Sequence, residues 1–266
     1  MARQNEGWAT SASTTLRTIL TEFALPRTGG LPHAAVVRVM EIVGFEPAAA
    51  RQALSRAARA GALERPPVAR RGEVLLSDDG RALLQRMLGD ADQRDAAADW
   101  DGTWTLVAIR GRVDRDPEHA TRNRLLLETF GSLGGGMWIA PHGPRAQAAV
   151  EVLAGDSSFQ LLSGSVTFDR PSLPELVATA WDLTAARTVY EEFLEVASSL
   201  SPSDPEQTLA AWIVMRRQWY AVTHADPELP PAGLPDDWPG LEVRVLLERR
   251  RAQWWPIAEE AFRALL

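Results

Sequence analysis

Three consecutive helical patterns, each bounded by glycine or proline, fill residues 13–61. The first carries its apolar residues at the i, i+3, i+4, i+7 spacing of an amphipathic helix: Leu16, Ile19, Leu20 and Phe23. Ser13 is expected to cap this helix. The second pattern covers residues 32–43 and the third covers residues 47–60, and a glycine follows each. Three short helices with apolar sides predict a small helical module around a shared core.

The third helix separates its side chains into two arcs. One arc predicts close packing on the first two helices and holds Ala50, Ala53, Leu54 and Ala57. The other is polar and holds Arg51, Gln52, Ser55, Arg56 and Arg59. Guanidinium groups match phosphate oxygens and the exposed edge of guanine, and short polar groups match other base edges. The polar arc is therefore a candidate surface for nucleic acid, and an ordinary solvated helix face is the alternative.

A basic hairpin is predicted to follow the three helices. Its strands cover residues 63–65 and 74–76, and its tip covers residues 66–73. The hairpin adds three arginines to the candidate surface: Arg65, Arg70 and Arg71. Three helices and a basic-tipped hairpin predict a winged helix-turn-helix, whose recognition helix enters the major groove while the wing contacts the backbone or minor groove. A winged domain that binds only protein is the alternative.

Charge is divided unevenly along the chain. Residues 1–71 hold 10 arginines and 5 acidic residues, a net of +5, whereas the whole chain has a formal charge of −7. Residues 72–266 therefore carry −12. A small basic module on an acidic body indicates a polyanion as partner, and double-stranded DNA is the natural candidate.

The middle of the chain changes from helical to mixed periodicity. A helix is predicted from Ser77 to about residue 98. Strands and helices then alternate over residues 103–110, 121–129, 130–133, 137–140, 144–153 and 159–168, with a possible break of the last strand at Gly164. The order β-α-β-β-α-β predicts a ferredoxin-like sandwich.

Asp114 and Asp116 follow the first of these strands, where some nucleases of this fold hold a metal ion. No second acidic or histidine group is placed by spacing to complete such a site. We interpret the segment as a polar loop and expect no metal site.

The last segment is predicted to be helical from residue 174 onward. Helices are expected over residues 184–200 and 205–223, and from about residue 241 with a kink before Pro256. The proline-rich residues 224–240 form either a structural loop, with Trp238 and Leu229 filling a helical core, or part of a ligand site. The predicted fold is α+β and multidomain. Its domains are a winged helix-turn-helix with a linker helix (1–98), a ferredoxin-like middle domain (99–173) and an all-α C-terminal domain (174–266).

Several classes of protein are excluded or disfavoured. The absence of cysteine excludes disulfides, cysteine-based zinc sites and thiol catalysis. The first residues lack the apolar segment of a secretory signal, and no apolar run is long enough to span a membrane. Four histidines lie in separate segments without metal-binding spacing: His33, His119, His142 and His224. We therefore expect a cytoplasmic protein that is not an enzyme and has no cofactor.

Five strings together are similar to one known family. They are RQALSRAARAG at 51–61, WDGTW at 100–104, GMWIAP at 136–141, WDLTAARTVYEEF at 181–193 and HADPELPPAGLPDDWPG at 224–240. In order and spacing the chain resembles the PaaX family of bacterial transcriptional repressors along essentially its full length. The resemblance implies a winged helix domain, a Cas2-like middle domain and a helical C-terminal domain. It also implies a homodimer that represses genes for phenylacetic acid catabolism and is released from DNA by phenylacetyl-CoA or another acyl-CoA.

An acyl-CoA effector would need an apolar slot and cations for its phosphates. The tryptophans beyond residue 99 offer the first, and the predicted effector-binding residues are Arg216, Arg217, His224 and Trp238. The rival interpretations are a Cas2-like metal-dependent nuclease and an enzyme acting on acyl-CoA.

Overall fold

A computed structural model describes residues 11–64, 72–92, 100–110, 130–143, 146–147, 150, 160–166 and 172–266. These residues are mostly helical with two small antiparallel sheets, which confirms the predicted mixed α+β class. The chain divides into two compact units that are not continuous in sequence. The first unit comprises Met1–Asp92, Tyr190–Thr223 and Gly240–Leu266, and the second comprises Gln93–Val189 and His224–Pro239. Both units take residues from the predicted third domain, and the predicted domain boundaries stay a prediction.

The three predicted helices begin the first unit. Helix α1 covers Ala12–Ile19 and continues as a π-helical turn, Leu20–Ala24. Helix α2 covers His33–Ile42 and helix α3 covers Pro47–Arg59. The predicted cap of α1 was wrong by two residues, because the helix begins at Ala12 and the hydroxyl of Ser11 accepts the 3.1 Å hydrogen bond from the Thr14 amide.

The core of these helices follows the predicted stripes. Fully or nearly fully buried positions include Leu16, Ile19, Phe23, Val36, Val39 and Met40. Helix α3 adds Ala50, Ala53 and Leu54, whose small or compact side chains let its backbone lie close to α1 and α2. A glycine at φ +95°, Gly44, turns the chain between α2 and α3, where an L side chain would be strained.

A three-stranded sheet closes this module. Strand β1 covers Leu31–Pro32, β2 covers Leu63–Glu64 and β3 covers Glu73–Leu76, in the order β1-β3-β2. The predicted hairpin is confirmed at its base, where β2 and β3 pair antiparallel. Strand β1 was not predicted, because a strand of two residues is too short to show an alternation of apolar and polar side chains. Helix α4, Asp78–Asp92, follows and is capped by the predicted Ser77, whose hydroxyl accepts from the Gly80 amide at 2.9 Å.

The second unit contains a four-stranded antiparallel sheet. Its strands are β4 (Trp104–Arg110), β5 (Gly131–Gly134), β6 (Met137–Pro141) and β7 (Gln160–Val166), in the order β5-β6-β4-β7. The expected break at Gly164 is wrong, because Gly164 pairs with Leu106 inside a continuous ladder. Ala146, Gln147 and Val150 are helical, within one predicted helix, whereas the predicted helix 121–129 lies outside the described residues.

Each face of this sheet has its own core, as strand alternation requires. One face holds Val107, Phe130, Trp138, Ala140 and Ala146. The other holds Trp104 and Ile139, which contact Leu176 and Val177 of helix α5, Leu173–Ala180. Leu229 also packs in this cluster. Leu229 of the 224–240 segment is thus a core residue, in a cluster formed by helix α5 and one face of the sheet.

The remaining helices are long. Helix α6 covers Leu183–Ser199, α7 covers Pro205–Ala225 and α8 covers Gly240–Arg263. Helix α8 includes Pro256, and the kink expected before it stays a prediction. Within the first unit, Phe262 of α8 stacks on Phe23, with ring centroids 4.0 Å apart. The C-terminal helices therefore complete the core that the N-terminal helices begin.

Candidate nucleic-acid interface

The outer face of α3 presents all five polar residues that the sequence singled out on that helix. Arg51, Gln52, Ser55, Arg56 and Arg59 are exposed, while Ala50, Ala53 and Leu54 on the opposite side are buried. The small alanine side chains let one side of α3 pack closely on α1 and α2, and this packing leaves the polar side facing outward. This orientation gives the module an outward surface that holds three guanidinium groups and two short polar side chains.

The exposed arginines of α3 make contacts with neutral oxygens. Arg56 donates to the Ser13 hydroxyl on α1 from Nη2 at 3.1 Å and from Nε at 3.3 Å. Arg59 Nε donates to the Ser55 carbonyl at 3.4 Å. Within the described part of the chain, Arg51, Arg56 and Arg59 form no ion pair with a carboxylate. Among the described residues, no carboxylate thus compensates the positive charges of these three side chains.

Another arginine of the module has a different environment. Arg38 on α2 pairs with Glu206 at 2.9 Å and with Glu41 at 3.6 Å. Its charge is locally balanced by two carboxylates, whereas the structure describes no carboxylate paired with the arginines of α3.

The hairpin arginines are not among the residues that the structure describes. Arg65, Arg70 and Arg71 lie outside the described residues, as do Asp114, Asp116 and His119 of the middle segment. The base of the hairpin is described through β2 and β3. The contribution of the three hairpin arginines stays a prediction.

Arg216, assigned to the effector site from the sequence, lies in a buried hydrogen-bonded cluster of the first unit. Its Nε donates to Glu22 Oε1 at 2.7 Å, and both side chains are more than nine-tenths buried. Glu22 also accepts from the Tyr220 hydroxyl at 2.7 Å and from Trp212 Nε1 at 3.1 Å. Burial raises the pKa of the Tyr220 hydroxyl well above its usual value, and the nearby Glu22 carboxylate raises it further. No local sequence pattern could pair residues 194 positions apart.

The other predicted effector residues are spread over both units. Arg217 is buried in the first unit, where its Nη1 donates to the Thr15 hydroxyl at 3.0 Å. His224 is exposed and Trp238 is half-buried in the second unit, where the guanidinium of Arg187 lies over the Trp238 ring at 5.6 Å. As an effector site these residues stay a prediction.

The described ranges of residues contain no group of three histidine or acidic side chains that could hold a metal ion. His142 contacts neutral groups: its Nδ1 lies 2.9 Å from the Thr105 hydroxyl and its Nε2 lies 3.2 Å from the Gln147 amide nitrogen. In those ranges, no helix combines the length and apolar character needed to cross a bilayer.

Comparison with known proteins adds three findings. Residues 166–264 match the family model described as PaaX-like protein C-terminal domain. The chain is 25% identical over 236 residues to the transcriptional repressor PaaX of Escherichia coli (strain K12), covering 83% of this chain and 73% of the relative.

The third finding concerns fold alone. The uncharacterized protein Rv0674 from Mycobacterium tuberculosis superposes with a TM-score of 0.58 at 20% identity, covering 91% of this chain and 96% of that one. The family model and the full-length relative together confirm the resemblance predicted from the five strings. The chain is therefore similar to PaaX proteins, and its residues 166–264 match the model of the PaaX-like C-terminal domain.

Proposed function

We propose that this chain is a DNA-binding transcriptional repressor that reads its operator with the outer face of α3. The observation that carries the proposal is the set of three exposed arginines on that face, none of which is paired with a carboxylate among the described residues. Uncompensated guanidinium groups on one helix are what phosphate and guanine recognition requires. The similarity to a transcriptional repressor supports the same conclusion.

The architecture supports a winged helix-turn-helix. Helices α1, α2 and α3 are followed by the β2–β3 hairpin, and β3 also pairs with β1 beside α2. In this fold α3 is the recognition helix and the hairpin is the wing. Arg51, Gln52, Ser55 and Arg56 would contact bases, while Arg59 and the hairpin arginines Arg65, Arg70 and Arg71 would contact phosphates.

The second unit fits a ferredoxin-like, Cas2-like sheet. Its first and third strands, β4 and β6, lie in the centre, and β7 and β5 lie at the edges. Fold alone assigns no activity to such a domain. We propose a regulatory and dimerising role for it rather than nuclease or acyl-CoA chemistry, and we expect two copies of α3 to enter successive major grooves of a pseudo-palindromic operator.

The regulated genes and the effector follow from the resemblance to PaaX regulators. We propose that the chain represses genes of phenylacetate-type catabolism and that phenylacetyl-CoA, or another acyl-CoA, releases it from DNA. Such an effector must bind the DNA-free arrangement more tightly than the bound one, since equal affinity for both would shift nothing.

Fluorescence anisotropy with labelled DNA from upstream of the chain's own gene tests the proposal. Specific binding should exceed binding to a scrambled duplex of equal length. If about six to ten phosphates are neutralised, log K should fall against log salt with a slope of roughly −5 to −9. Phenylacetyl-CoA should then lower the anisotropy of the preformed complex, while coenzyme A alone should not. Equal, salt-insensitive binding to both duplexes would contradict the proposal.

A further inference from the structure

Arg217 is buried beside Arg216 on α7, but only one edge of its guanidinium is satisfied. Its Nη1 donates to the Thr15 hydroxyl on α1 at 3.0 Å. Its Nε is buried without a hydrogen-bond partner. No carboxylate among the described residues forms an ion pair with it, and burial lowers the pKa of this guanidinium. A buried cation in this state is unfavourable unless an anion reaches it.

The neighbouring charges do not supply that anion. Arg216 and Arg217 place two guanidinium groups between α7 and α1, and Glu22 is the one carboxylate described there. Both oxygens of Glu22 are already acceptors, for Arg216, Tyr220 and Trp212. The described part of this interface therefore has an excess of one buried positive charge, located at Arg217.

The geometry of the guanidinium defines what would neutralise it. The Nε and Nη2 groups form the edge that holds a carboxylate or phosphate through two parallel hydrogen bonds. Because Thr15 is bound through Nη1, this edge is left for a ligand. Arg217 is 9% exposed as a whole while its Nε is buried, so an anion must open the contact between α7 and α1 locally to reach this edge. We propose that Arg217 anchors the carboxylate or phosphate group of a small ligand.

Helix α1 would transmit the occupancy of this site. Thr15 contacts Arg217, and Ser13, two residues away along the same helix, accepts from Arg56 of α3. An anion that draws Arg217 away from Thr15 changes the contacts of the helix that orients Arg56. This regulatory consequence rests on the proposed function, whereas ligand binding at Arg217 does not.

Thermal denaturation of the full chain during titration with sodium phosphate, and separately with sodium acetate, tests the site. Sodium chloride keeps the ionic strength constant. At least one anion should raise the Tm of the wild type saturably, and the more effective one identifies the class of group that binds. Arg217→Gln should weaken this binding at least tenfold. Arg263→Gln, which removes an exposed arginine of α8, should leave it unchanged.

A second variant keeps the test decisive if Arg217→Gln fails to fold. Arg217→Lys retains the charge but loses the planar two-donor edge, so it should weaken binding about tenfold. The inference is overturned if the wild type shows no saturable rise with either anion, or if both Arg217 variants respond like the wild type. DNA anisotropy without added anion is measured in parallel, so that loss of the proposed function is seen separately.

Discussion

The Ser13 hydroxyl on α1 accepts two hydrogen bonds from Arg56 on α3, at 3.1 and 3.3 Å. The contact joins the first helix of the module to the helix that carries the exposed arginines. It fixes the direction of the Arg56 side chain before any ligand arrives, which lowers the conformational entropy lost on binding.

Arg56→Ala should therefore weaken specific DNA binding. If the guanidinium forms a bidentate contact with guanine, the loss is about 1–3 kcal/mol and specificity relaxes at one base pair. Anisotropy titrations with specific and scrambled duplexes measure it. The matched control is Arg263→Ala, which removes an equal charge from α8 and should leave affinity nearly unchanged. Equal affinities for Arg56→Ala and wild type on both duplexes would remove Arg56 from the interface.

Two glycines in the N-terminal module give opposite expectations. A Cβ on Gly80 would lie 2.0 Å from the Ala62 carbonyl oxygen, so Gly80→Ala forces α4 away from the backbone beside β2. We expect a loss of about 1–3 kcal/mol, which exceeds the gain of up to about 1 kcal/mol from alanine in a helix.

Gly29→Ala provides the comparison. Nothing lies within 4 Å of the position that a Cβ would occupy at Gly29, and its φ is not positive, so the change should be neutral or stabilising by about 0.4–1 kcal/mol. Urea denaturation followed by tryptophan fluorescence compares both variants with the wild type. A Gly80→Ala protein as stable as Gly29→Ala would show that the close approach of α4 to Ala62 is wrong.

The buried ion pair between Glu22 and Arg216 should be essential for stability. Glu22→Gln keeps the shape of the side chain but leaves Arg216 charged and buried, which costs about 3–5 kcal/mol when such a pair is broken. The exposed pair of Glu259 and Arg263 offers the control, because Glu259→Gln should change stability by less than about 0.5 kcal/mol. Denaturant midpoints and m-values measure both. A small effect of Glu22→Gln would argue against a buried cluster.

The raised pKa of Tyr220 predicts how the free energy of unfolding changes at alkaline pH. Its pKa is raised in the folded state, so above about pH 10 the unfolded chain loses a proton that the folded chain keeps. Stability should then fall as the pH rises, by at most about 1.4 kcal/mol per unit for this one group, until the folded pKa is reached.

The composition of the chain simplifies the measurement of this pH dependence. The chain has two tyrosines, no cysteine and no lysine, so few side chains titrate in this range. Tyr220→Phe should flatten the alkaline decrease in the unfolding free energy while leaving Tyr190 intact. The same pH dependence in wild type and Tyr220→Phe would contradict the assignment.

Local periodicity predicted the elements that lie on single stretches of chain. The two arcs of α3 were predictable because a helix of alanines and arginines has one side that can pack and one that cannot. The strands β4 and β6 were predictable from short apolar runs, and the helices of the last segment from long stretches of helical periodicity.

Contacts between distant segments were not predictable. Arg216 looked like a surface cation because nothing in its neighbourhood along the chain signals Glu22, which lies in the π-helical turn that continues α1. Leu229 was expected to fill a helical core, yet its cluster also includes Trp104 and Ile139 of the sheet. In each case the decisive partner is a residue that only tertiary packing brings near.

Helix α1 touches a different arginine through each of two nearby hydroxyls, Ser13 towards Arg56 and Thr15 towards Arg217. Because both hydroxyls lie on α1, a shift or tilt of this helix would change the hydrogen bonds of both arginines. Helix α7 is accordingly coupled to α3 through α1, and exchanging either segment alone between relatives should yield chimeras in which the other segment is misaligned.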